Sequence, residues 1–539
     1  MNDLDISRRS LLGAGLALAG APAFAAGRAA PLPDHIDRST YDQILREFRS
    51  IVGDQWAIGN DDHLAPYRKS YVPDIDGQHA PIGAVAPESV EQVQAILAVA
   101  NTYRQPLWPV STGRNFGYGA TTTARPGQFI LDLKRMNRIL SVDPEMGTAL
   151  VEPGVTYQQL HDYLRDNNIP LWLDVPTIGP IASPVGNTLD RGVGYTPYGE
   201  HFMVQCGMEV VLPSGEVMRT GMGSIEGSNT WQNFKWGYGP YVDGLFTQSN
   251  FGIVTKMGMW LMPRPPAFKP FVFRNQTFEG LTALIDAIRP LRVGSVIPNG
   301  ILTMGALYQV SMFRSRAEIY DNPAGTLPDD ILRRIAAEEG LGMWNTYFGL
   351  YGTEQTIAAT EPVLRAVLGQ VEGELLTEAE MGGNRYFEHH KTLMMGGMSL
   401  EELGILKWRG GAGGMLCFAP VAQPRGSEAT AQSALAKEIL ARFGFDYAVA
   451  YAIGWRDLHH IIFIQYDKAD KQQERKAMDC YVEMATRFAE RGWGSYRTGV
   501  QGMDLVARQF GKVNQRFNKT LKDAIDPNGI IAPGKSGIV

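Results

Sequence analysis

Residues 111–119 read S-T-G-R-N-F-G-Y-G and follow a short apolar segment at 106–110, which predicts a buried strand ending in a glycine-rich loop. Glycine has no side chain and accepts positive φ, so backbone N–H groups of such a loop can approach an anionic ligand closely. Arg114 adds a charged fork suited to phosphate. We interpret residues 111–119 as a cradle for a pyrophosphate, with a plain turn between two strands as the alternative. The cradle does not match the Rossmann fingerprint G-x-G-x-x-G. It is not a P-loop either, because no Walker lysine follows it.

The composition is that of an ordinary globular protein with room for more than one domain. The 539 residues carry a formal net charge of −6, with 44% hydrophobic and 20% charged residues. This charge gives no support for a nucleic-acid partner, for which a basic patch is expected. Three cysteines, Cys206, Cys417 and Cys480, make no disulfide framework, and no C-x-x-C-H motif attaches a haem. No carboxylate–histidine cluster has the spacing of metal ligands, so no metal site is predicted.

The N-terminus has the pattern of a twin-arginine export signal over residues 1–25. The sequence S-R-R-S-L-L at 7–12 precedes an apolar run, and A-F-A at 23–25 offers a small-x-small cleavage site. The apolar run is too short to span a membrane. We therefore expect a mature protein that begins near Ala26, reaches the periplasm after folding and has no membrane anchor.

The pattern along the chain predicts an α+β protein of two domains. Ser89 and Thr156 are placed to cap helices, and P-S-G at 213–215 joins two β-like runs into a hairpin. The proline cluster P-R-P-P at 263–266 indicates a domain boundary. Helical and β-like runs then alternate as far as about residue 495.

Several sequence blocks in a fixed order resemble the vanillyl-alcohol oxidase / p-cresol methylhydroxylase family of flavoproteins. They are the cradle, G-N-T-L-D-R-G-V-G-Y-T-P-Y-G at 186–199, F-K-W-G-Y-G-P at 234–240, T-Q-S-N-F-G-I-V-T-K-M-G at 247–258, R-D-L-H-H at 456–460, Y-R-T at 496–498 and D-P-N-G-I-I-A-P-G-K-S-G at 526–537. The resemblance spans about residues 40 to 539. It implies a two-domain FAD-binding fold of the vanillyl-alcohol oxidase type. The FAD-binding domain would cover 26–266, a substrate cap domain 267–495, and a segment returning to the flavin 496–539.

The resemblance also implies which residues bind FAD. They are Ser111, Thr112, Gly113, Arg114, Asn115, Gly117, Gly186, Asn187, Arg191, Gly192, Gly252, Ile253 and Lys535. Lys535 would stabilise negative charge on the reduced flavin. Many relatives link FAD covalently to a histidine or tyrosine of the cap, but those positions fall on Met415 and on residues 405–408. We therefore predict non-covalent FAD, with His389 and His390 as outside candidates for a linkage.

The reaction implied by the resemblance is the oxidation of a 4-alkylphenol, such as a cresol-, eugenol- or alkylguaiacol-like compound. A hydride leaves the benzylic carbon of the phenolate for the flavin, and water adds to the resulting p-quinone methide. Tyr118, Tyr496 and Arg497 would be the catalytic residues at the phenol oxygen, because a cation lowers the pKa of the phenol and donors stabilise its charge.

Four further residues are predicted to form the substrate pocket, namely Thr177, Met415, Ala450 and His459. In a strand, neighbouring residues face opposite sides, so at most one of His459 and His460 faces the site. Relatives have water-activating carboxylates near Thr177 and at Ala450, where this chain has none. Either another group activates water, or the quinone methide is released or rearranges. The small side chain of Ala450 would widen the pocket for a bulky alkylphenol.

The electron acceptor stays open between two alternatives. The export signal and Phe116 favour the cytochrome-coupled hydroxylases, in which case a separate c-type cytochrome is the partner. The alternative is an oxidase that reduces O2 to H2O2, and a lesser alternative is a flavin-binding protein without turnover. A homodimer follows from the habit of the family, and no nucleic-acid or membrane partner is expected.

Overall fold

The computed structural model describes residues 30–60, 62–177, 179–322 and 325–539, apart from the side chains of Asp62 and Phe116. The predicted export signal lies outside the described residues. Within them, helices pack against sheets as the α+β prediction requires.

The first sheet has four short strands in the order β1-β2-β4-β3 and leads directly into the cradle. The strands are β1 Ala57–Ile58, β2 Gly83–Val85, β3 Leu107–Val110 and β4 Phe129–Asp132, and the helices packed on them are α1 Arg38–Val52 and α2 Val90–Tyr103. The predicted cap of α2 is present, because the Ser89 side chain accepts a hydrogen bond from the Gln92 N–H. Strands β2 and β3 both run parallel to β4, so α2 carries the crossover between them.

The second sheet is antiparallel, in the order β5-β6-β10-β8-β9. Its strands are β5 Ile139–Asp143, β6 Thr148–Val151, β8 Gln205–Val211, β9 Val217–Arg219 and β10 Ile253–Trp260. The predicted hairpin joins β8 to β9, with Val211 opposite Val217. Thr156 caps the next helix as predicted, because its hydroxyl accepts from the Gln159 N–H. Around this sheet lie α3 Tyr157–Asp166, α4 Pro184–Leu189, α5 His201–Val204, and the pair β7 Leu171–Trp172 with β11 Met262–Pro263.

The chain leaves these sheets after Pro263 and enters a third, eight-stranded sheet at Ala267, so the proline cluster lies at the change of sheet. The order is β15-β12-β14-β13-β18-β19-β16, and β17 pairs with β19. The strands are β12 Ala267–Asn275, β13 Ile301–Gly305, β14 Trp344–Gly352, β15 Glu374–Thr377, β16 Gly414–Phe418, β17 Val421–Ala422, β18 Ala448–Ile453 and β19 Leu458–Tyr466. The helices are α6 Leu281–Val293, α7 Ala306–Phe313, α8 Arg316–Ile319, α9 Asp329–Glu338, α10 Glu354–Leu368, α11 Glu378–Met381, α12 Arg385–Met394, α13 Gly426–Phe443 and α14 Lys471–Ala489. We call this region the cap.

The C-terminal segment returns to the first sheet. After α15 Met503–Gln509 and α16 Lys512–Ile525, the chain runs parallel to the start of β3. The N–H of Leu107 donates to the Ile530 carbonyl at 2.8 Å, and the N–H of Ala532 donates to the Leu107 carbonyl at 2.7 Å. This pairing places the last residues of the chain beside the strand from which the cradle emerges.

The largest apolar core joins the cap to the second sheet. Met208 and Met257 of that sheet belong to one buried cluster with Met415, Ala450 and Phe463 of the cap. Burial of this much apolar surface holds the two regions together without a disulfide, and the three cysteines are all buried and free. In the part of the chain that the structure describes, no helix is long and apolar enough to cross a membrane.

Candidate active site

A cavity of about 1070 Å³ opens between the cradle, the start of α4, the loop 244–254 and the C-terminal segment. This is at the upper end of the range of about 300–1,000 Å³ that is typical of small-molecule sites. Most of the residues predicted to bind FAD line it, namely Ser111, Thr112, Gly113, Arg114, Asn115, Gly186, Asn187, Arg191, Gly252, Ile253 and Lys535. The predicted catalytic residues, Tyr118, Tyr496 and Arg497, line the same cavity.

Two glycines predicted to bind FAD pack closely against protein atoms. A Cβ on Gly117 would lie 2.6 Å from Cys417 Sγ on strand β16, and a Cβ on Gly192 would lie 2.2 Å from Asn187 Oδ1. Neither glycine belongs to the lining of the cavity. Gly117 therefore lets the cradle approach the cap, and Gly192 lets the chain pass close to α4.

The cradle keeps the backbone shape that its glycines predict. Gly113 has φ 66° and Gly119 has φ 119°, values that favour glycine. A Cβ on Gly186 would lie 2.2 Å from Ser111 Oγ, so the cradle and α4 meet only because residue 186 has no side chain. Two backbone segments thereby face one space, as binding of a pyrophosphate requires.

A chain of four polar side chains crosses the floor of the cavity. Asn115 accepts a hydrogen bond from Arg497 at 2.9 Å and donates one to Asp190 at 2.6 Å. The Lys535 ammonium donates to the other oxygen of Asp190 at 2.9 Å. Burial by itself would raise the pKa of Asp190, but the two cations and the hydrogen bonds lower it, so this carboxylate stays charged. We call these four residues the cation network.

The two predicted catalytic tyrosines stand around Arg497. The Arg497 guanidinium carbon lies 4.1 Å from the centre of the Tyr118 ring, and the guanidinium charge also acts on the Tyr496 hydroxyl and opposes the effect of burial on its pKa. Burial raises the pKa of both tyrosines, for Tyr118 well above its usual value. Both hydroxyls therefore stay protonated and can donate hydrogen bonds. The Arg497 Nε is buried and has no partner among the described residues.

The two neighbouring histidines of β19 face opposite sides, as predicted. The His459 ring stacks on the Tyr496 ring with centroids 4.4 Å apart, and its Nε2 lies 2.9 Å from Asp457. The His460 ring stacks instead on Tyr451 at 4.2 Å, and burial lowers its pKa to about 3. His459 therefore packs directly against Tyr496, one of the predicted catalytic residues.

The other predicted pocket residues lie in the protein core beside the site. Thr177 is hydrogen-bonded to the Tyr195 hydroxyl. The Met415 side chain lies 3.6 Å from the point where a Cβ of Gly117 would be. Ala450 is buried in strand β18 within the apolar cluster shared by the cap and the second sheet. None of these three residues lines the cavity of about 1070 Å³, whereas His459 lines a second cavity of about 70 Å³ together with Tyr195 and Ala452.

The structure adds a buried carboxylate that the sequence analysis missed. Glu402 accepts a hydrogen bond from the Tyr308 hydroxyl at 2.7 Å, and its charge also acts on Tyr195 and Cys417. Cys417 in turn packs against the glycine before Tyr118. The signal available in the sequence was L-E-E-L at 400–403, where apolar neighbours on both sides indicate that one glutamate is buried.

The two histidines left as candidates for a covalent linkage lie inside the cap. His389 contacts Glu401 and Glu402, and these carboxylates outweigh the effect of burial and raise its pKa to about 9. His390 stacks on Tyr347 with ring centroids 3.9 Å apart, and burial lowers its pKa. Neither histidine lines the cavity.

Comparison with known proteins agrees with this geometry. The family described as FAD binding domain matches residues 81–221, and that described as FAD linked oxidases, C-terminal domain, matches residues 354–536. The residues present fit FAD: a glycine cradle meets α4, a large cavity adjoins them, and Arg497, which lines this cavity, has a buried Nε without a partner among the described residues. Fold and site together define an FAD-dependent oxidoreductase, which confirms the predicted cofactor.

Similarity to individual proteins narrows the class of FAD-dependent oxidoreductase to which the chain belongs. The 4-cresol dehydrogenase [hydroxylating] flavoprotein subunit of Pseudomonas putida is 44% identical over 94% of this chain and 98% of its own length. The structure of p-cresol methylhydroxylase with substrate bound has a TM-score of 0.92 at 44% identity, covering 94% of this chain and 98% of that one. The isoeugenol complex of 4-ethylphenol oxidase from Gulosibacter chungangensis has a TM-score of 0.91 at 34% identity, covering 94% and 99%. The chain belongs to the vanillyl-alcohol oxidase / p-cresol methylhydroxylase family, and the predicted two-domain fold is confirmed.

Proposed function

We propose that this protein oxidises 4-alkylphenols by benzylic hydride transfer, followed by addition of water to a p-quinone methide. The observation that carries the proposal is the convergence of Tyr118, Tyr496 and Arg497 on one wall of the cavity. The names of the relatives, 4-cresol dehydrogenase and 4-ethylphenol oxidase, support phenols of this class. Bound FAD supplies the hydride acceptor.

In this proposal the three residues hold the substrate as a phenolate. Arg497 offers its unpartnered Nε–H, and the two tyrosine hydroxyls donate because burial keeps them protonated. A fixed cation and two donors favour the ionised phenol over the neutral one. The same donors stabilise charge that shifts within the ring while the hydride leaves, and such preorganisation is usually a large catalytic contribution.

The proposed role of Lys535 is to hold positive charge beside the reduced cofactor. In the structure its ammonium is fixed by Asp190, which Asn115 ties to Arg497. The two cations thus have a set spacing before any ligand binds. A cation near a reduced flavin raises its reduction potential.

Glu402 is the proposed base for the added water, which answers the question that Thr177 and Ala450 leave open. Its carboxylate lies in the cap core beside Tyr308 and Tyr195. As the water oxygen bonds to the benzylic carbon, one water O–H breaks, its electron pair stays on oxygen and its proton goes to Glu402. The electrons of the exocyclic double bond return to the ring, and the product forms as a phenolate.

Further parts of the proposal concern the cofactor linkage, location and partners. Non-covalent FAD is supported by Met415 at the linkage position and by two histidines engaged within the cap. Export to the periplasm rests on S-R-R-S-L-L at 7–12. A c-type cytochrome as acceptor is supported by a relative named as the flavoprotein subunit of a dehydrogenase, whereas the relative named as an oxidase favours O2. The homodimer rests on the habit of the family.

The test is to mix the FAD-loaded protein anaerobically with 4-alkylphenols of increasing size and to record the flavin absorbance over time. We expect rapid bleaching with at least one phenol, and much slower bleaching in Tyr496→Phe. Reoxidation by cytochrome c or by air then identifies the acceptor. Denaturation and filtration should release the FAD if it is non-covalent. If no phenol bleaches protein that contains FAD, the proposal is wrong.

A further inference from the structure

Three titratable side chains lead from the core of the cap to its surface. The Glu402 side chain is 6% exposed, that of His389 is 0% exposed, and that of Glu401 is 46% exposed. His389 Nε2 lies 3.3 Å from Glu402 Oε1, and His389 Nδ1 lies 3.1 Å from Glu401 Oε2. A buried imidazole therefore bridges an inner carboxylate and an outer one, both within hydrogen-bonding distance. We call these three residues the cap relay.

The inner end of the cap relay lies among buried residues of the cap. The second oxygen of Glu402 accepts the Tyr308 hydroxyl at 2.7 Å, and the Tyr308 ring packs 4.6 Å from that of Phe463. Glu402 also acts electrostatically on Cys417, which packs against Gly117 beside Tyr118. The polar path thus begins in the cap core, on the cap side of the contact between Cys417 and Gly117.

We propose that His389 and Glu401 carry the proton released during turnover from Glu402 to solvent. The inference rests on the proposed function, in which each addition of water leaves one proton on Glu402. Without an exit, that proton would hold Glu402 in its acid form and block the next turnover. The relay gives it a route through the cap that does not cross the FAD cavity.

The transfer needs no oxidant or other reactant. Charged His389 first releases its Nδ1 proton to a Glu401 oxygen. The neutral ring then moves its remaining proton from Nε2 to Nδ1 by exchange with solvent, and Nε2 accepts the Glu402 proton. The imidazole therefore carries the same charge before and after a full transfer. Glu401 then gives the proton to water, and Glu402 is again a carboxylate. Both ring nitrogens of histidine can carry a proton, which suits it to this bridging position.

The groups around His389 agree with a proton-conducting role. Besides the two glutamates, its Nδ1 is 3.0 Å from the Ser399 hydroxyl, and the neighbouring His390 ring lies 4.9 Å away. Burial lowers the pKa of His390, which leaves it neutral, while the two carboxylates raise the pKa of His389 to about 9. The charged form of His389 is thus held between two acceptors.

The experiment compares Glu401→Gln with Glu388→Gln in FAD-loaded protein. Glu388 lies on the same helix as His389 but pairs with Lys391 outside the relay. In Glu401→Gln we expect flavin reduction in a single turnover to match the wild type. Steady-state formation of hydroxylated product at low buffer concentration should fall about tenfold. Added imidazole buffer should restore it, and Glu401→Asp should retain most of the rate.

A second readout needs no turnover. The ring N–H protons of His389 should exchange with solvent more slowly in Glu401→Gln than in wild type or Glu388→Gln, measured by NMR with labelled histidine. If Glu401→Gln shows wild-type turnover, no response to imidazole and unchanged exchange, the relay is overturned while the proposed function stands. If wild-type flavin is not bleached by any phenol, both fall together.

Discussion

The two polar regions of this site carry opposite charge. The cation network has two cations, Arg497 and Lys535, around one carboxylate, Asp190. The cap relay has two carboxylates around one histidine, whose pKa is raised to about 9. The first region is net positive and the second net negative at neutral pH.

This difference matches the two halves of the proposed reaction. A positive region stabilises the phenolate and the reduced cofactor, because opposite charge favours an anion. A negative region favours proton acceptance and transfer, because nearby carboxylates stabilise protonated groups. The protein thus separates the part that holds an anion from the part that removes a proton, and the contact of Gly117 with Cys417 joins the cradle to the cap between them.

The largest expected effect comes from breaking the positive region at Arg497. Arg497→Lys keeps a charge but loses the fork that reaches both Asn115 and a substrate. We expect flavin reduction by a good phenol to slow by about a hundred- to a thousandfold, the cost of losing one preorganised donor. Stopped-flow absorbance measures it, with the exposed Arg491→Lys as control. A rate within a few-fold of wild type would contradict the role of Arg497.

The negative region should respond differently to Glu402→Gln. Hydride transfer does not use this carboxylate, so flavin reduction should change little. Formation of hydroxylated product should fall about a hundredfold, the usual scale for loss of a general base. With 4-ethylphenol, whose quinone methide can instead lose a proton to give the vinylphenol, the products should shift to the desaturated compound. An unchanged product ratio would assign water activation to another group.

The two regions also differ in how far sequence alone predicts them. The cradle is local: three glycines, an asparagine and a tyrosine lie within nine residues, so a motif identifies it. Asp190 was missed although it stands in a matched block, because only the fold brings it to Lys535. The cap relay was missed because His389 and Glu402 belong to no motif and meet only when α12 packs beside the turn at 401–407.

The same reason explains why the sequence does not show the surroundings of two predicted site residues. Ala450 is predicted to widen the pocket, and the register of β18 with its neighbours places it in the apolar cluster between the cap and the second sheet. Gly117 is predicted to bind FAD because a cradle glycine usually serves the ligand, and the structure adds that its lack of a side chain allows close packing against Cys417. A sequence shows that a glycine is needed without showing which neighbour requires it.

The charge of the cap relay predicts a dependence of stability on pH. The pKa of His389 is raised from 6.5 to about 9 in the folded protein, so its stabilisation is complete below about pH 6.5 and lost as pH rises through about 9. Between these two pH values the contribution of His389 to the free energy of unfolding changes by at most about 3 kcal/mol. Between pH 6 and pH 9.5 the melting temperature should fall more for wild type than for Glu401→Gln. This variant removes one of the charges that raise the pKa of His389. Equal falls would show that His389 is not held charged.

The smallest expected effect tests the junction itself. Gly117→Ala places a Cβ 2.6 Å from Cys417 Sγ, so the cradle must move away from the cap. Overpacking of this kind destabilises by about 1–3 kcal/mol. Cys417→Ala removes the opposing sulfur, so the double variant should recover much of the loss, and the two single effects should not add. Thermal unfolding of all four proteins measures this coupling. Additive effects would mean that the cradle and the cap are energetically independent at this contact. The two regions of opposite charge would then influence each other only through the bound substrate.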